Sequence, residues 1–164
     1  MKVIKSVVMG AFFCFLPALS NAVQLNIAGL VAGELTTPEA VHDALGLACG
    51  EGSQNIQVCN GVSSYANSSG EANVVIGSDG LLDRVYLTID EDNYDDVAQS
   101  LRKQFGSPQR IARSVVQNGF GATFQQEALT WNGLHGTRLY VSRYAADMEH
   151  ATVLLTSKRG RQNN

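Results

Sequence analysis

The densest group of side chains able to do chemistry is Asp90-Glu91-Asp92-Asn93-Tyr94-Asp95-Asp96. Clustered carboxylates ligate divalent cations, but a calcium loop requires a turn glycine where Asp95 stands and a glutamate at its twelfth position, and neither is present. The same acids precede a helical run, where each negative charge gains roughly 0.3–1 kcal/mol from the positive end of the helix dipole. A helix-end role is the expectation, with a weak divalent site or an acidic contact patch as the alternatives. His42, His135 and His150 are dispersed. None has a Cys or a second His at ligand spacing, so no metal site is read. No Gly-x-Ser-x-Gly elbow or Ser-x-x-Lys occurs. A hydrolytic triad assembled from distant positions stays open, although His135 or His150 near Ser142 and Asp147 reads as ordinary strand and turn composition. Gly119-Phe120-Gly121 lacks the Lys-Ser/Thr and the following helix of a phosphate loop and reads as a hairpin or bulge. No cofactor motif is present.

Sulfur chemistry depends on the compartment. Lys2 and Lys5 precede an apolar stretch from Val7 to Leu16, Pro17 ends it, and Ser20-Asn21-Ala22 supplies small residues before a cut. Residues 1–22 therefore read as a secretory signal peptide cleaved after Ala22, which places the chain in the periplasm or outside the cell. A retained anchor is the weaker alternative, since the stretch is about half the ~20 residues a membrane span needs. Cys14 follows Ala11-Phe12-Phe13, unlike a lipobox, and leaves with the leader. Cys49 and Cys59 then remain as an even pair, the pattern of a disulfide in an exported chain. The polar, Gly-rich loop from Gly50 to Val58 has entropy for a crosslink to remove, worth roughly 2.5–3 kcal/mol.

A third constellation is suited to recognition. In the run around Arg138, Tyr140 and Ser142, these residues share one strand phase, and Leu139 and Val141 share the other. If the leucine and valine pack under helices, Arg138 and Tyr140, with Trp131 and Arg143, become candidate contacts, because exposed aromatics and arginines dominate binding hot spots. The competing reading places Trp131 in the core and makes Tyr140 a cross-strand surface pair. Asn67-Ser68-Ser69 matches a glycosylation acceptor that matters only in a cell using that chemistry.

These groups need a scaffold. The chain has 164 residues, of which 45% are hydrophobic and 16% charged, with 16 Gly and 3 Pro, which excludes disorder and collagen as the main architecture. The net charge is −3, or −5 without Lys2 and Lys5, which disfavours nucleic acid and anionic membranes as partners. Thr37-Pro38-Glu39 and Gly46 bracket a helix predicted over 38–45, and Tyr94, Val97, Leu101 and Phe105 recur at helical spacing in a second, predicted over 93–105. Period two then takes over. Runs 72–76 and 81–89 flank Asp79-Gly80 as a hairpin, with Val85, Leu87 and Ile89 facing the core and Arg84, Tyr86 and Thr88 facing water. A strand is expected near 61–65, and four more over 111–117, 123–131, 137–144 and 151–157, with turns at Asn132-Gly133 and 147–150. The fold class is α+β, with two helices on one side of an antiparallel meander and a tandem helix-plus-strands pseudo-repeat in outline. Residues 23–157 form one domain, and 158–164 are expected as a disordered polar tail.

The layout of Thr-Pro-Glu-Ala-Val at a helix start, Leu45-Gly46 at its end, a Cys pair, a Gly80 hairpin and Phe105-Gly106-Ser107-Pro108 resembles small exported bacterial proteins of uncharacterised function. The helix ending in Phe-Gly-x-Pro before strands also resembles, more distantly, the tandem helix-plus-sheet modules of the β-lactamase-inhibitor-protein type and the small outer-membrane assembly lipoprotein. That resemblance implies a protein-binding module whose sheet face or loops meet a partner in the cell envelope, and it carries over no single functional residue. The expectation is a non-enzymatic binding or inhibitor module without a cofactor. The alternatives are an envelope-assembly accessory and a small secreted hydrolase.

Overall fold

Thr37 begins the first helix by accepting the Ala40 amide hydrogen on its hydroxyl oxygen at 3.2 Å, the bond an N-cap supplies to an otherwise orphaned donor. Helix α1 spans Pro38–Leu45, and Gly46 ends it at φ 70°. In the computed structural model, residues 23–144 and 148–162 are described. The expected leader 1–22 with its expected cleavage point, Cys14, Asp147 and the end of the tail lie outside them. Helix α2 spans Tyr94–Phe105. It starts one residue later than predicted because Glu91–Asn93 first makes a 3₁₀ turn. Asp95 and Asp96 occupy its first turn and Arg102 and Lys103 its last, each sign complementing the dipole.

Among the described residues ten strands accompany the helices. Strands β1 (Asn26–Ile27) and β2 (Leu30–Val31) form a small ribbon turned by Ala28 and Gly29, both at positive φ. The other eight are β3 (Ala48–Glu51), β4 (Gln57–Tyr65), β5 (Ser68–Ile76), β6 (Leu82–Asp90), β7 (Arg110–Gln117), β8 (Thr123–Asn132), β9 (Arg138–Ser142) and β10 (His150–Thr156). They form one antiparallel sheet ordered β3-β4-β5-β6-β10-β9-β8-β7. Each helix is thus followed by four strands in meander order. The two runs meet where β10 pairs with β6, from His150 opposite Asp90 to Thr156 opposite Arg84.

Cys49 and Cys59 are disulfide-bonded, as the cysteine count predicts, with Cα atoms 3.9 Å apart. They stand directly opposite each other in the β3–β4 pairing. The segment between them is therefore a hairpin with a 3₁₀ turn at Ser53–Asn55.

A single core holds the layers together. From the strands it takes only one phase, including Cys59, Val74, Val85, Val141 and Val153, and to these it adds the buried faces of both helices and of the β1–β2 ribbon. On α2 that face is Tyr94, Val97, Ala98, Leu101 and Phe105, and each large side chain there contributes about 1.5–3 kcal/mol through burial. The chain stays anchored past β10, which corrects the expected frayed tail as far as Gln162. Arg159 donates from Nε to Asp83 at 2.8 Å and also pairs with Asp79, and the buried Gly160 donates its N–H to Ser157 Oγ at 2.9 Å.

Candidate binding face

Alternation along β6 sends Val85, Leu87 and Ile89 into the core and leaves Arg84, Tyr86 and Thr88 half-buried on the opposite face, as their phase predicts. Register carries that split across the sheet. One cross-strand row runs Asn60, Asn73, Tyr86, Leu154, Tyr140, Thr130 and Arg110, from β4 to β7. A second runs Val58, Val75, Arg84, Thr156, Arg138 and Asn132. The rows lie about 6.6 Å apart along the strands. No member of either row belongs to the hydrophobic core, and the helices and the ribbon contribute to that core from the other side. This outward face combines tyrosines, aliphatics, threonines and arginines. Tyr86 Oη lies 3.5 Å from Thr152 Oγ1, and Arg84 Nη2 donates to Asn73 Oδ1 at 3.4 Å.

The four residues expected to make contacts separate into three places. Arg138 and Tyr140 stand on the open face, two residues apart on β9. Trp131 does not join them: it faces Leu139 on the core side, is 1% exposed, and donates from Nε1 to the Gly106 carbonyl at 2.9 Å. The expectation of Trp131 as a surface contact is corrected, because it shares phase with Leu129 and its indole closes the core over the end of α2. Arg143 also leaves the face. It donates from Nη1 to Glu91 at 2.8 Å, pairs with Asp95, and lies 4.5 Å over the Tyr94 ring, tying the end of β9 to the start of α2. Two members of the acidic cluster thus serve this ion pair.

Beneath Arg143, burial and then the Glu127 carboxylate push the Tyr94 phenol above its ordinary value, so it stays a donor, 3.4 Å from the Glu127 carbonyl. Burial alone raises the Tyr65 phenol to about 12. The histidines do not converge. His42 Nδ1 lies 3.2 Å from the Leu47 carbonyl oxygen, His150 starts β10 opposite Asp90, and His135 sits at φ 54° beyond the other end of the sheet. Ser142 is 3% exposed, donates to the Tyr144 carbonyl and accepts from Gln126. No group of three potential metal ligands is present among the described residues. A cavity of about 280 Å³ opens beside His135 and Lys158. Its acids are engaged, Glu34 with Gln24 and Asp83 with Arg159.

Phe120 is 99% exposed at the tip of the β7–β8 hairpin, where Asn118 Oδ1 accepts from the Phe120 and Ala122 amides. Sequence reading placed Arg84 and Tyr86 on the wet face but did not count them as contacts, and it missed Leu154 and Arg161. Leu154 was detectable as the outward residue between Val153 and Leu155. Arg161 was hidden by the expectation of a frayed tail. Comparison with family models, curated proteins and solved structures returns no match. No helix among the described residues is long and apolar enough to cross a membrane.

Proposed function

We propose that this protein is an exported, non-enzymatic binding module of the cell envelope that engages a partner protein through its open sheet face and adjoining loops. The observation that supports the reading best is the cross-strand row centred on Tyr86, Leu154 and Tyr140, which runs over seven strands outside the core. Tyrosine, aliphatic and arginine side chains on a rigid sheet lose little conformational freedom on binding and are the residue types that anchor interfaces. We read α1 with β3–β6 and α2 with β7–β10 as tandem modules of the kind the resemblance implies. Their shared sheet makes one platform wider than either half. An inhibitor and an envelope-assembly accessory both need such a surface, and the partner's own activity separates them. A hydrolase using His135 or His150 with Asp147 is the less favoured reading, since the sequence carries no Gly-x-Ser-x-Gly elbow or Ser-x-x-Lys.

The test is capture from envelope extract of the host by the immobilised, oxidised protein, in parallel with its Tyr86→Ala/Tyr140→Ala variant. One stoichiometric partner resistant to moderate salt and lost with the double variant is the expected result. An empty capture overturns the binding reading, and so does a partner held equally by the folded variant. Assay of the retained partner with and without the module then tells inhibition from assembly.

A further inference from the structure

The open face is cationic at one end. Its end row and the row next to it carry Arg84, Arg110 and Arg138 and no carboxylate, although the whole chain has a net charge of −3. Glu71 lies about 13 Å along β5 from the Val75 position that faces Arg84. Arg138 is exposed and makes no ion pair among the described residues. Arg161 stands in the turn after β10, five residues beyond Thr156, which pairs with Arg138. Its Nη1 is buried without a hydrogen-bond partner there, and burial, then the like charge of Arg138, lower its guanidinium from the ordinary value. Asp83 borders the neighbouring cavity of about 410 Å³ with Arg84 and Gly160. It accepts from Arg159 and Ser157 at 2.8 and 3.3 Å.

We propose that the Arg138–Arg161 end of the open face docks an acidic segment of a partner protein, with its carboxylates on the two guanidiniums and its apolar side chains on Tyr140 and Leu154. The proposal rests on the binding-face reading above and gives the partner its chemistry. Arg138, exposed and without an ion pair among the described residues, gains a counter-charge from an anion, and the planar guanidinium fork matches a carboxylate in bidentate fashion. A phosphate offers similar oxygens, but the surroundings favour protein. The rows contain tyrosine, leucine and threonine and no lysine, the composition of a protein interface. Polyanions and anionic bilayers meet a net negative molecule and are repelled at longer range, whereas a short acidic segment meets only the local patch.

Amide NMR shifts on titrating the oxidised protein with an acetylated hexaglutamate peptide at low salt test this directly. The expected shifts fall on β9, β10 and the turn carrying Arg161. Affinity falls by about tenfold or more in Arg138→Gln/Arg161→Gln, through loss of charge-assisted pairs, stays unchanged in Lys103→Gln on the exposed side of α2, and hexaglutamine gives no response. Absence of shifts, shifts elsewhere, or unchanged affinity in the double variant overturns the proposal. Inorganic phosphate or phosphatidylglycerol vesicles binding as well as hexaglutamate also overturns it, by making the site a general anion or membrane contact. If the double variant loses its native spectrum, the exposed Arg138→Gln alone carries the test, with a loss of about threefold or more expected. A captured partner that is lost with the tyrosine variant but held by the arginine variant leaves the binding face standing and removes only the acidic segment.

Discussion

Trp131 and Tyr140 lie on neighbouring strands and are both large aromatics, yet one closes the core and the other faces outward. The difference is a single step of register: Trp131 opposes Leu139, and Tyr140 opposes Thr130. Alternation makes such a step decisive, since successive side chains leave a strand on opposite faces. Charged residues follow a similar local logic at the β5–β6 turn. A hydrogen bond from Arg159, with another from the Leu81 amide, holds the Asp79 carboxyl below its ordinary value. Ionised Asp79 therefore adds stability above its unfolded-state value near 3.9, and this contribution is lost as pH falls through the lower folded-state value. Asp79→Asn is expected to be less stable than the parent at neutral pH, with the gap closing below about pH 4. Urea midpoints across that range check the sign, and a gap that widened on acidification would rule the ion pair out as its source.

Among the elements, both helices were legible because their ends carry their own chemistry: Thr37 and Gly46 for α1, Gly106 and Pro108 after α2. The strands after α2 were legible by period. Strand β3 was not, because Ala48-Cys49-Gly50-Glu51 has little β propensity and one inward residue, and its pairing comes from β4 and the disulfide. The β4–β5 hairpin was half legible: its two-residue turn, Ala66 and Asn67 at φ 50° and 65°, suits the Asn, but Ser-rich flanks obscured the strands. Gly70 is a constraint of contact. A Cβ there would lie 1.7 Å from the Thr88 carbonyl oxygen, a backbone atom that has nowhere to go. Gly70→Ala is expected to cost about 3 kcal/mol by forcing β5 from β6. Gly50→Ala, with nothing within 4 Å, should be close to neutral. Denaturant unfolding of the pair checks the contrast, and equal stabilities would mean that β5 and β6 approach less closely than described.

At the scale of the molecule, the two helix-plus-strand halves share one core and one sheet, joined by the β6–β10 pairing. Cooperative unfolding follows from that sharing. The disulfide lies in the first half and the sole tryptophan, Trp131, in the second, so reducing Cys49–Cys59 while following Trp131 fluorescence reads across the seam. The Trp131 transition is expected to lose roughly 2.5–3 kcal/mol, the entropy contribution of that crosslink. An unshifted transition would show halves that unfold independently.

By itself the sequence determined what depends on neighbours a few residues apart: helix ends, strand periods, the disulfide pair and the inward phase of β6. Only the tertiary structure decided which outward residues form a common surface, that Trp131 and Arg143 leave that surface, and that Arg159 returns from beyond β10 to meet Asp79 and Asp83. The physical reason is distance along the chain. Caps and alternation are local, whereas cross-strand rows depend on the register of strands far apart in sequence, and one residue of slip exchanges the two faces of a strand.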